Sequence, residues 1–185
     1  IGAASIHNGS RIKFGPDGLL YVTMGDAADA SLAQDLASLN GKVLRLNEDG
    51  TTPRDNPFSS PVYSLGHRNP QGIDWDPVTG ALWETEHGQS ALDEVNRVEA
   101  GRNYGWPQIE GAETRPGMEP PVLFFEQTVA PSGAAFYRGE RIPSFSGNLF
   151  FGALRGTHLH RIVLQAPGRT EVASLGPSQH RRIRG

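Results

Sequence analysis

The sequence predicts an all-β protein, a β-propeller built from four-stranded antiparallel blades. A strand–turn–strand unit recurs three times, with Leu20, Leu82 and Leu149 in equivalent places, 62 and 67 positions apart. Helical patterns are nearly absent, and 23 Gly and 14 Pro residues separate short apolar stretches as turn residues do. Repeated units of this length indicate a repeat architecture, and four antiparallel strands per unit are typical of a propeller blade.

The first two strands of each copy follow from the turn residues. The first copy covers residues 11–23 and turns at the sequence Gly-Pro-Asp-Gly, residues 15–18. The second covers residues 73–85 and turns at residues 76–80. The third covers residues 134–152, with a longer turn that ends at a Ser-Gly pair. Each turn lies between alternating apolar residues, which predicts antiparallel pairing of the flanking strands.

Two further strands complete each predicted blade. Third strands are expected at residues 41–46, 93–98 and 158–164, and fourth strands at residues 62–65, 122–125 and 172–175. The third strands alternate apolar with polar residues, which predicts strands with one face in solvent. The one helical candidate is residues 32–39, whose apolar spacing predicts one or two turns.

Three blades do not close a propeller, because closed rings have about four to eight. We therefore expect residues 1–185 to form a single partial propeller domain, truncated at both ends and inactive in isolation. The alternative is that three blades fold alone or assemble into a ring, and the oligomeric state stays open.

Composition excludes several classes of function. The formal net charge is −3 with 20% charged residues, so no nucleic acid partner is expected. The absence of cysteine excludes disulfides and thiolate metal sites. No apolar run approaches the roughly 20 residues that cross a bilayer, so no membrane span is predicted.

Polar residues without a strand role lie before the first strand or after the second strand of each blade. The first group is residues 7–10, 66–71, 128–133 and 182–184, and the second is residues 25–26, 86–89 and 154–156. Both kinds of loop emerge at the same end of an antiparallel blade, so they converge around the channel, where ligands bind. They include a candidate base, His7, and a carboxylate to orient it, Asp26. They also carry four arginines that predict an anionic ligand: Arg68, Arg155, Arg182 and Arg184.

These segments resemble the soluble quinoprotein glucose/sorbosone dehydrogenase family. The matching segments run in the family's order through nearly the whole chain: HNGSR at 7–11, FGPDG at 14–18, MGD at 24–26, GHRNPQG at 66–72, TEHG at 85–88, DEVN at 93–96, NYGWP at 103–107, APSG at 130–133 and GALRG at 152–156. The resemblance implies a six-bladed propeller that uses pyrroloquinoline quinone (PQQ) and Ca²⁺. It also implies a periplasmic or secreted location.

The resemblance implies an oxidoreductase that oxidises aldose sugars at C1 to lactones by hydride transfer to PQQ, with an external electron acceptor. His7 would be the general base, Asp26 would orient it, and Arg68 would stabilise charge on the quinone oxygen. Cofactor contacts would come from Arg68, Asn69, Thr128, Arg155, Arg182 and Arg184. The backbone carbonyls of Gly88 and Gln89 would bind Ca²⁺. The chain departs from some members of the family at Gln89, where they have proline, and at Arg155, where they have lysine.

Two other functions compete with this interpretation. One is a propeller that has lost catalysis and binds a protein or a glycan, which the presence of both His7 and Asp26 disfavours. The other is a calcium-dependent lactonase-type propeller. Such a hydrolase needs a cluster of carboxylates and amides at the channel centre, whereas the predicted loops are rich in arginine.

Overall fold

The computed structural model describes residues 4–155, 158–165 and 169–175, which form three four-stranded antiparallel sheets. In each sheet the strands lie side by side in chain order, so each strand pairs with the next one along the chain. This arrangement is that of propeller blades and confirms the predicted all-β propeller fold. The described residues contain two short 3₁₀ helices and no α-helix.

The first blade consists of β1 (Ile12–Phe14), β2 (Leu20–Met24), β3 (Lys42–Leu46) and β4 (Val62–Leu65). The turn between β1 and β2 contains Gly18 with φ of 77°, a conformation that glycine adopts without a Cβ penalty. This turn lies at the end of the blade opposite to His7 and Asp26, because those two residues precede β1 and follow β2.

The second blade consists of β5 (Pro70–Trp75), β6 (Leu82–Glu86), β7 (Asp93–Val98) and β8 (Leu123–Phe125). A long connection, residues 99–122, joins β7 to β8 and reaches back to the first blade. Within it the backbone N–H of residue 104 donates to the carbonyl of residue 65 at 2.8 Å.

The third blade consists of β9 (Pro131–Phe136), β10 (Leu149–Ala153), β11 (His158–Gln165) and β12 (Arg169–Leu175). The connection between β9 and β10 contains one of the 3₁₀ helices, Pro143–Phe145. The predicted strands therefore all form, with their boundaries shifted by a few residues at most.

The blades pack face to face through apolar side chains. Between the first and second blades the buried cluster includes Tyr21, Val43, Ile73, Trp75 and Tyr104. Between the second and third blades a separate cluster contains Trp83, Val95, Phe136, Leu149, Phe151 and Ile162. Large apolar residues on both faces of the middle blade explain why β5, β6 and β7 are almost entirely buried.

The first strands of the blades lie next to one another and are joined by polar contacts. Asp74 on β5 is fully buried and accepts hydrogen bonds from both neighbouring blades. Lys13 Nζ donates at 2.6 Å, Arg138 Nη1 donates at 2.7 Å, and the backbone N–H of Phe136 donates at 2.6 Å. The Asp74 carboxylate therefore links all three blades through hydrogen bonds.

The helix expected over residues 32–39 is confirmed only at residues 32 and 33 and is otherwise wrong. The structure has a 3₁₀ helix at Ala30–Ala33, followed by turns. Lys42 Nζ on β3 donates to the carbonyls of Leu32 and Ala33, at 2.7 and 3.1 Å. The Leu32 carbonyl also accepts the backbone N–H of Asp35 at 3.2 Å, and the Ala33 carbonyl accepts that of Gly66 at 3.0 Å. The carbonyls at the end of the short helix are therefore shared between local and tertiary donors.

The expectation that the third strands are half exposed is wrong for β7, where five of six residues are buried, and for the first three residues of β3. Most residues of β11 have intermediate exposure, as expected. Lys42 on β3, Glu94 on β7 and His160 on β11 are all buried polar residues. Alternation of polar and apolar residues predicts which side chains share a face, but not what covers that face. Lys42 donates to backbone carbonyls, Glu94 accepts from the backbone N–H of Gly111, and His160 stacks on the ring of Phe151. No helix among the described residues is long and apolar enough to cross a membrane.

Candidate active site

His7 and Asp26 form a hydrogen-bonded pair at one end of the first blade. His7 Nδ1 lies 2.8 Å from Asp26 Oδ1, and the side chains are 16% and 2% exposed. An ionised carboxylate only accepts hydrogen bonds, so the proton of the neutral imidazole lies on Nδ1. Nε2 of His7 is then the nitrogen able to accept a proton, as in other histidine–carboxylate pairs.

The backbone around this pair adopts a sparsely populated conformation. His7, Ala27 and Ala28 have φ values of 57°, 54° and 63°, in the left-handed region that costs non-glycine residues energy. The N–H of Ala27 donates to the carbonyl of His7 at 3.0 Å, which joins the two loops. Gly25 is required at this junction, because a Cβ there would lie 2.0 Å from the His7 carbonyl oxygen.

Arg68 lies beside the pair, in the loop that leads into β5. The backbone N–H of Asp26 donates to the carbonyl of Arg68 at 2.8 Å. The guanidinium donates to the carbonyls of His87 and Gln89, at 3.2 and 3.5 Å. Its Nε is buried without a hydrogen-bond partner among the described residues. Burial lowers the pKa of Arg68, although nearby carboxylates, Asp26 first among them, act in the opposite direction.

Asn69 connects the same loop to the segment before β1. Its side-chain oxygen accepts a hydrogen bond from the N–H of Gly9 at 3.1 Å, and the residue is buried. The structure therefore brings together four predicted site residues from two blades: His7, Asp26, Arg68 and Asn69.

The two predicted calcium ligands lie just after β6. The N–H of Gly88 donates to Asp93 Oδ1 at 3.0 Å, and the N–H of Gln89 donates to Glu110 Oε1 at 3.2 Å. These hydrogen bonds hold the peptide groups in a fixed orientation. Gln89 is exposed, and its carbonyl oxygen accepts from Arg68, so this carbonyl lies next to the guanidinium.

Thr128 and Arg155 extend the loop cluster toward the third blade. Thr128 Oγ1 donates to the carbonyl of Ser90 at 2.7 Å. The backbone N–H of Arg155 donates to the carbonyl of Val129 at 3.1 Å, and its side chain is exposed. The remaining predicted cofactor ligands, Arg182 and Arg184, lie outside the described residues.

A buried polar cluster behind the site was missed by the sequence analysis. His67 Nδ1 lies 3.6 Å from Glu84 Oε1 and 3.8 Å from Glu86 Oε1, and all three side chains are buried. Burial alone would lower the pKa of His67, but the two glutamates raise it to about 9. Glu86 Oε2 accepts the backbone N–H of Arg68 at 2.9 Å, so this cluster supports the arginine.

In the described part of the chain, these residues are also the one group of three or more His, Asp or Glu side chains that could together bind a metal ion. Their ligand atoms lie within 4.8 Å of one another. The sequence gives a partial signal, since Glu84 and Glu86 share a face of one strand. Their approach to His67 depends on pairing between β5 and β6 and has no local signature.

The fold and site define a β-propeller protein with a histidine–carboxylate pair and a buried arginine at one end of its blades. The sequence profile of the Glucose / Sorbosone dehydrogenase family matches residues 2–185, and the chain belongs to this family.

Relatives and solved structures agree with this assignment. Aldose sugar dehydrogenase YliI of Escherichia coli (strain K12) is 34% identical over 198 residues, which cover 96% of this chain and 53% of that protein. Quinoprotein glucose dehydrogenase B of Acinetobacter calcoaceticus is 39% identical over 57% of this chain and 27% of that protein. The PQQ-bound aldose sugar dehydrogenase of Streptomyces coelicolor superposes with a TM-score of 0.82 at 41% identity, over 94% of this chain and 51% of that one. The chain thus spans about half the length of the curated relatives it matches, or less.

Proposed function

We propose that the protein containing this chain is a PQQ-dependent sugar dehydrogenase that oxidises aldoses at C1 to lactones. The observation that carries this proposal is the His7–Asp26 pair, 2.8 Å apart and joined through the Asp26 backbone to Arg68. A base and a cation side by side suit a reaction that removes a proton from one atom and builds negative charge on another. Family membership supports the substrate class and the cofactor of this proposal.

In the proposed reaction, Nε2 of His7 accepts the proton of the anomeric hydroxyl. Asp26 keeps the imidazole in the required tautomer and stabilises the imidazolium that results. When bound, PQQ supplies the electrophile that takes the hydride from C1. The Arg68 guanidinium stabilises the oxygen that gains negative charge, and its burial strengthens this interaction because little water screens it.

The residues present fit such a cofactor. The Arg68 Nε group is buried and lacks an acceptor among the described residues, so an anionic or carbonyl oxygen can take its N–H. Asn69, Thr128 and Arg155 would supply further contacts, together with Arg182 and Arg184. The carbonyls of Gly88 and Gln89 would hold Ca²⁺, a cation that prefers oxygen ligands.

The first experiment is a titration of the full-length protein with PQQ in the presence of Ca²⁺, followed by absorbance spectroscopy while an aldose is added. We expect stoichiometric PQQ uptake and sugar-dependent reduction of the bound cofactor. Failure of the protein to bind PQQ would contradict the proposal. Binding of PQQ without its reduction by any aldose would contradict it as well. A lactone hydrolysis assay on the same protein without PQQ tests the lactonase alternative, and we expect no turnover.

The proposal includes an external electron acceptor and a periplasmic or secreted location, both taken from the family. Cell fractionation of the source organism tests the location, and we expect the protein outside the cytoplasmic fraction.

A further inference from the structure

Trp106 contacts both parts of the candidate active site. It lies in the connection between β7 and β8 and is buried. Its indole Nε1 donates to Asp26 Oδ2 at 2.9 Å. The guanidinium carbon of Arg68 lies 5.2 Å from the centre of the same ring, a cation–π distance. One side chain therefore touches the carboxylate that orients His7 and the arginine of the proposed reaction.

With the hydrogen bond from Trp106, both oxygens of the Asp26 carboxylate accept hydrogen bonds. Oδ1 accepts from His7 Nδ1 at 2.8 Å and from the backbone N–H of Ala28 at 2.9 Å. The indole N–H is the donor to Oδ2, so the two oxygens are held in different directions. A carboxylate held at both oxygens does not rotate about its Cβ–Cγ bond, and the imidazole that it contacts keeps one orientation.

The backbone of Trp106 is itself held by residues in and next to the first blade. The backbone N–H of Trp106 donates to the carbonyl of Gly66 at 3.0 Å, and its carbonyl accepts from Gln34 Nε2 at 2.7 Å. Gln34 Oε1 in turn accepts from Asn103 Nδ2 at 2.7 Å, which fixes the start of the same loop. These contacts fix the Trp106 backbone, and the ring itself is held between Asp26 and the Arg68 guanidinium.

We propose that Trp106 is a positioning residue that holds Asp26, and through it the tautomer of His7, while its ring face supports Arg68. The catalytic part of this inference rests on the proposed dehydrogenase function. The structural part concerns the protein alone and is testable without cofactor.

The first test uses the full-length apoprotein with ¹⁵N-labelled histidine. Long-range ¹H–¹⁵N NMR spectra report which imidazole nitrogen of His7 carries the proton. We expect the Nδ1–H tautomer in the wild type and a mixture of tautomers in Trp106→Phe, which keeps an aromatic ring but loses the donor. Trp83→Phe is the matched control, because Trp83 is also buried and its Nε1 has no acceptor among the described residues.

The second test measures kcat and KM of the PQQ-loaded protein. A hydrogen bond to a charged group is worth roughly a tenfold to hundredfold effect, so we expect kcat of Trp106→Phe to fall by about that factor. KM for the sugar and the kcat of Trp83→Phe are expected to stay near the wild-type values. Trp106→Leu, which removes the ring face as well, is expected to lose more activity than Trp106→Phe.

The outcomes separate this inference from the proposed function. An unchanged His7 tautomer in Trp106→Phe would overturn the inference, whether or not the protein oxidises sugars. Equal losses of kcat in Trp106→Phe and Trp83→Phe would also overturn it, because a general packing defect would then explain both. A wild-type protein that reduces no PQQ would refute the dehydrogenase function, and the NMR comparison would still decide whether Trp106 holds the His7–Asp26 pair.

Discussion

Asp26 and Asp74 are both buried carboxylates between neighbouring blades, yet they have different partners. Asp74 accepts from Lys13, Arg138 and the backbone of Phe136. Asp26 accepts from the backbone N–H of Ala28, from the indole of Trp106 and from His7, which among the described residues is the one titratable side chain that donates to it.

The partners explain what each carboxylate does. Burial alone would raise the pKa of Asp74, but hydrogen bonds from Arg138 and Lys13 lower it to about 2. Its charge is therefore fixed and holds three blades together. The charge of Asp26 instead acts on an imidazole whose second nitrogen is not used by this pair. A buried position between blades therefore does not tell whether a carboxylate is structural or belongs to the candidate active site. The side chains that donate hydrogen bonds to it do.

The largest expected effect is the loss of kcat when His7, the partner of Asp26, is replaced. His7→Ala removes the proposed base, and general-base catalysis contributes roughly 10²–10⁴-fold, so kcat of the PQQ-loaded full-length protein should fall by about that factor. Steady-state kinetics with an artificial electron acceptor measure this. Lys13→Met, which removes a partner of Asp74, is the control and should leave kcat near the wild-type value. Comparable losses of kcat in both variants would show that the partners of Asp26 and Asp74 do not differ in their role in catalysis.

The next largest effect is on the free energy of unfolding when Asp74 is replaced. Asp74→Asn leaves Lys13 and Arg138 without their carboxylate, and we expect the free energy of unfolding to fall by about 2 to 3 kcal/mol, because both cations are partly exposed and regain water. Denaturant unfolding of the full-length protein measures the change. Asp74→Asn as stable as the wild type would show that the blades do not depend on this carboxylate.

The Asp74 contribution should also depend on pH. Its pKa of about 2 in the folded protein lies below the unfolded value of about 3.9, so the unfolded state binds the proton more tightly. The stabilisation, about 2 kcal/mol, is therefore present above pH of about 4 and lost as the pH falls toward 2.

Unfolding of the wild type and of Asp74→Asn at a series of pH values between these limits tests this linkage. We expect the stability difference between them to shrink as the pH falls. A difference that stays constant would mean that the charge of Asp74 is not the source of its effect.

The smallest expected effect is that of Lys13→Met on stability. The Lys13 side chain is 38% exposed, and Asp74 keeps two N–H donors from Arg138 and one from Phe136. We expect a loss of less than about 1 kcal/mol, as for other solvent-screened ion pairs. A loss equal to that of Asp74→Asn would show that Lys13 supplies most of the interaction.

The fold was largely predictable because strands and tight turns are encoded locally. Period-two alternation and glycine-containing turns located all twelve strands. The helix predicted over residues 32–39 is shorter and lies earlier, at Ala30–Ala33, and the carbonyls at its end accept hydrogen bonds from Lys42 on the following strand. A tertiary contact of this kind leaves no mark on the local apolar pattern.

The candidate site was predictable in part for a related reason. His7, Asp26, Arg68 and Asn69 converge because the loops before the first strand and after the second share one end of a blade. Trp106 has no such signal, since its contact with Asp26 depends on how a long loop of the second blade returns to the first. Partners of that kind need the tertiary structure.

The most direct test of the comparison is a single-turnover experiment without oxygen. Full-length wild type, Asp26→Asn and Asp74→Asn are loaded with PQQ and Ca²⁺ and mixed with excess aldose, and the absorbance of the bound cofactor is followed in time. We predict similar rates for the wild type and Asp74→Asn, and a rate lower by roughly a hundredfold or more for Asp26→Asn, in which His7 loses its orienting charge. Reduction by Asp26→Asn at the wild-type rate, or equal slowing in both variants, would contradict the account.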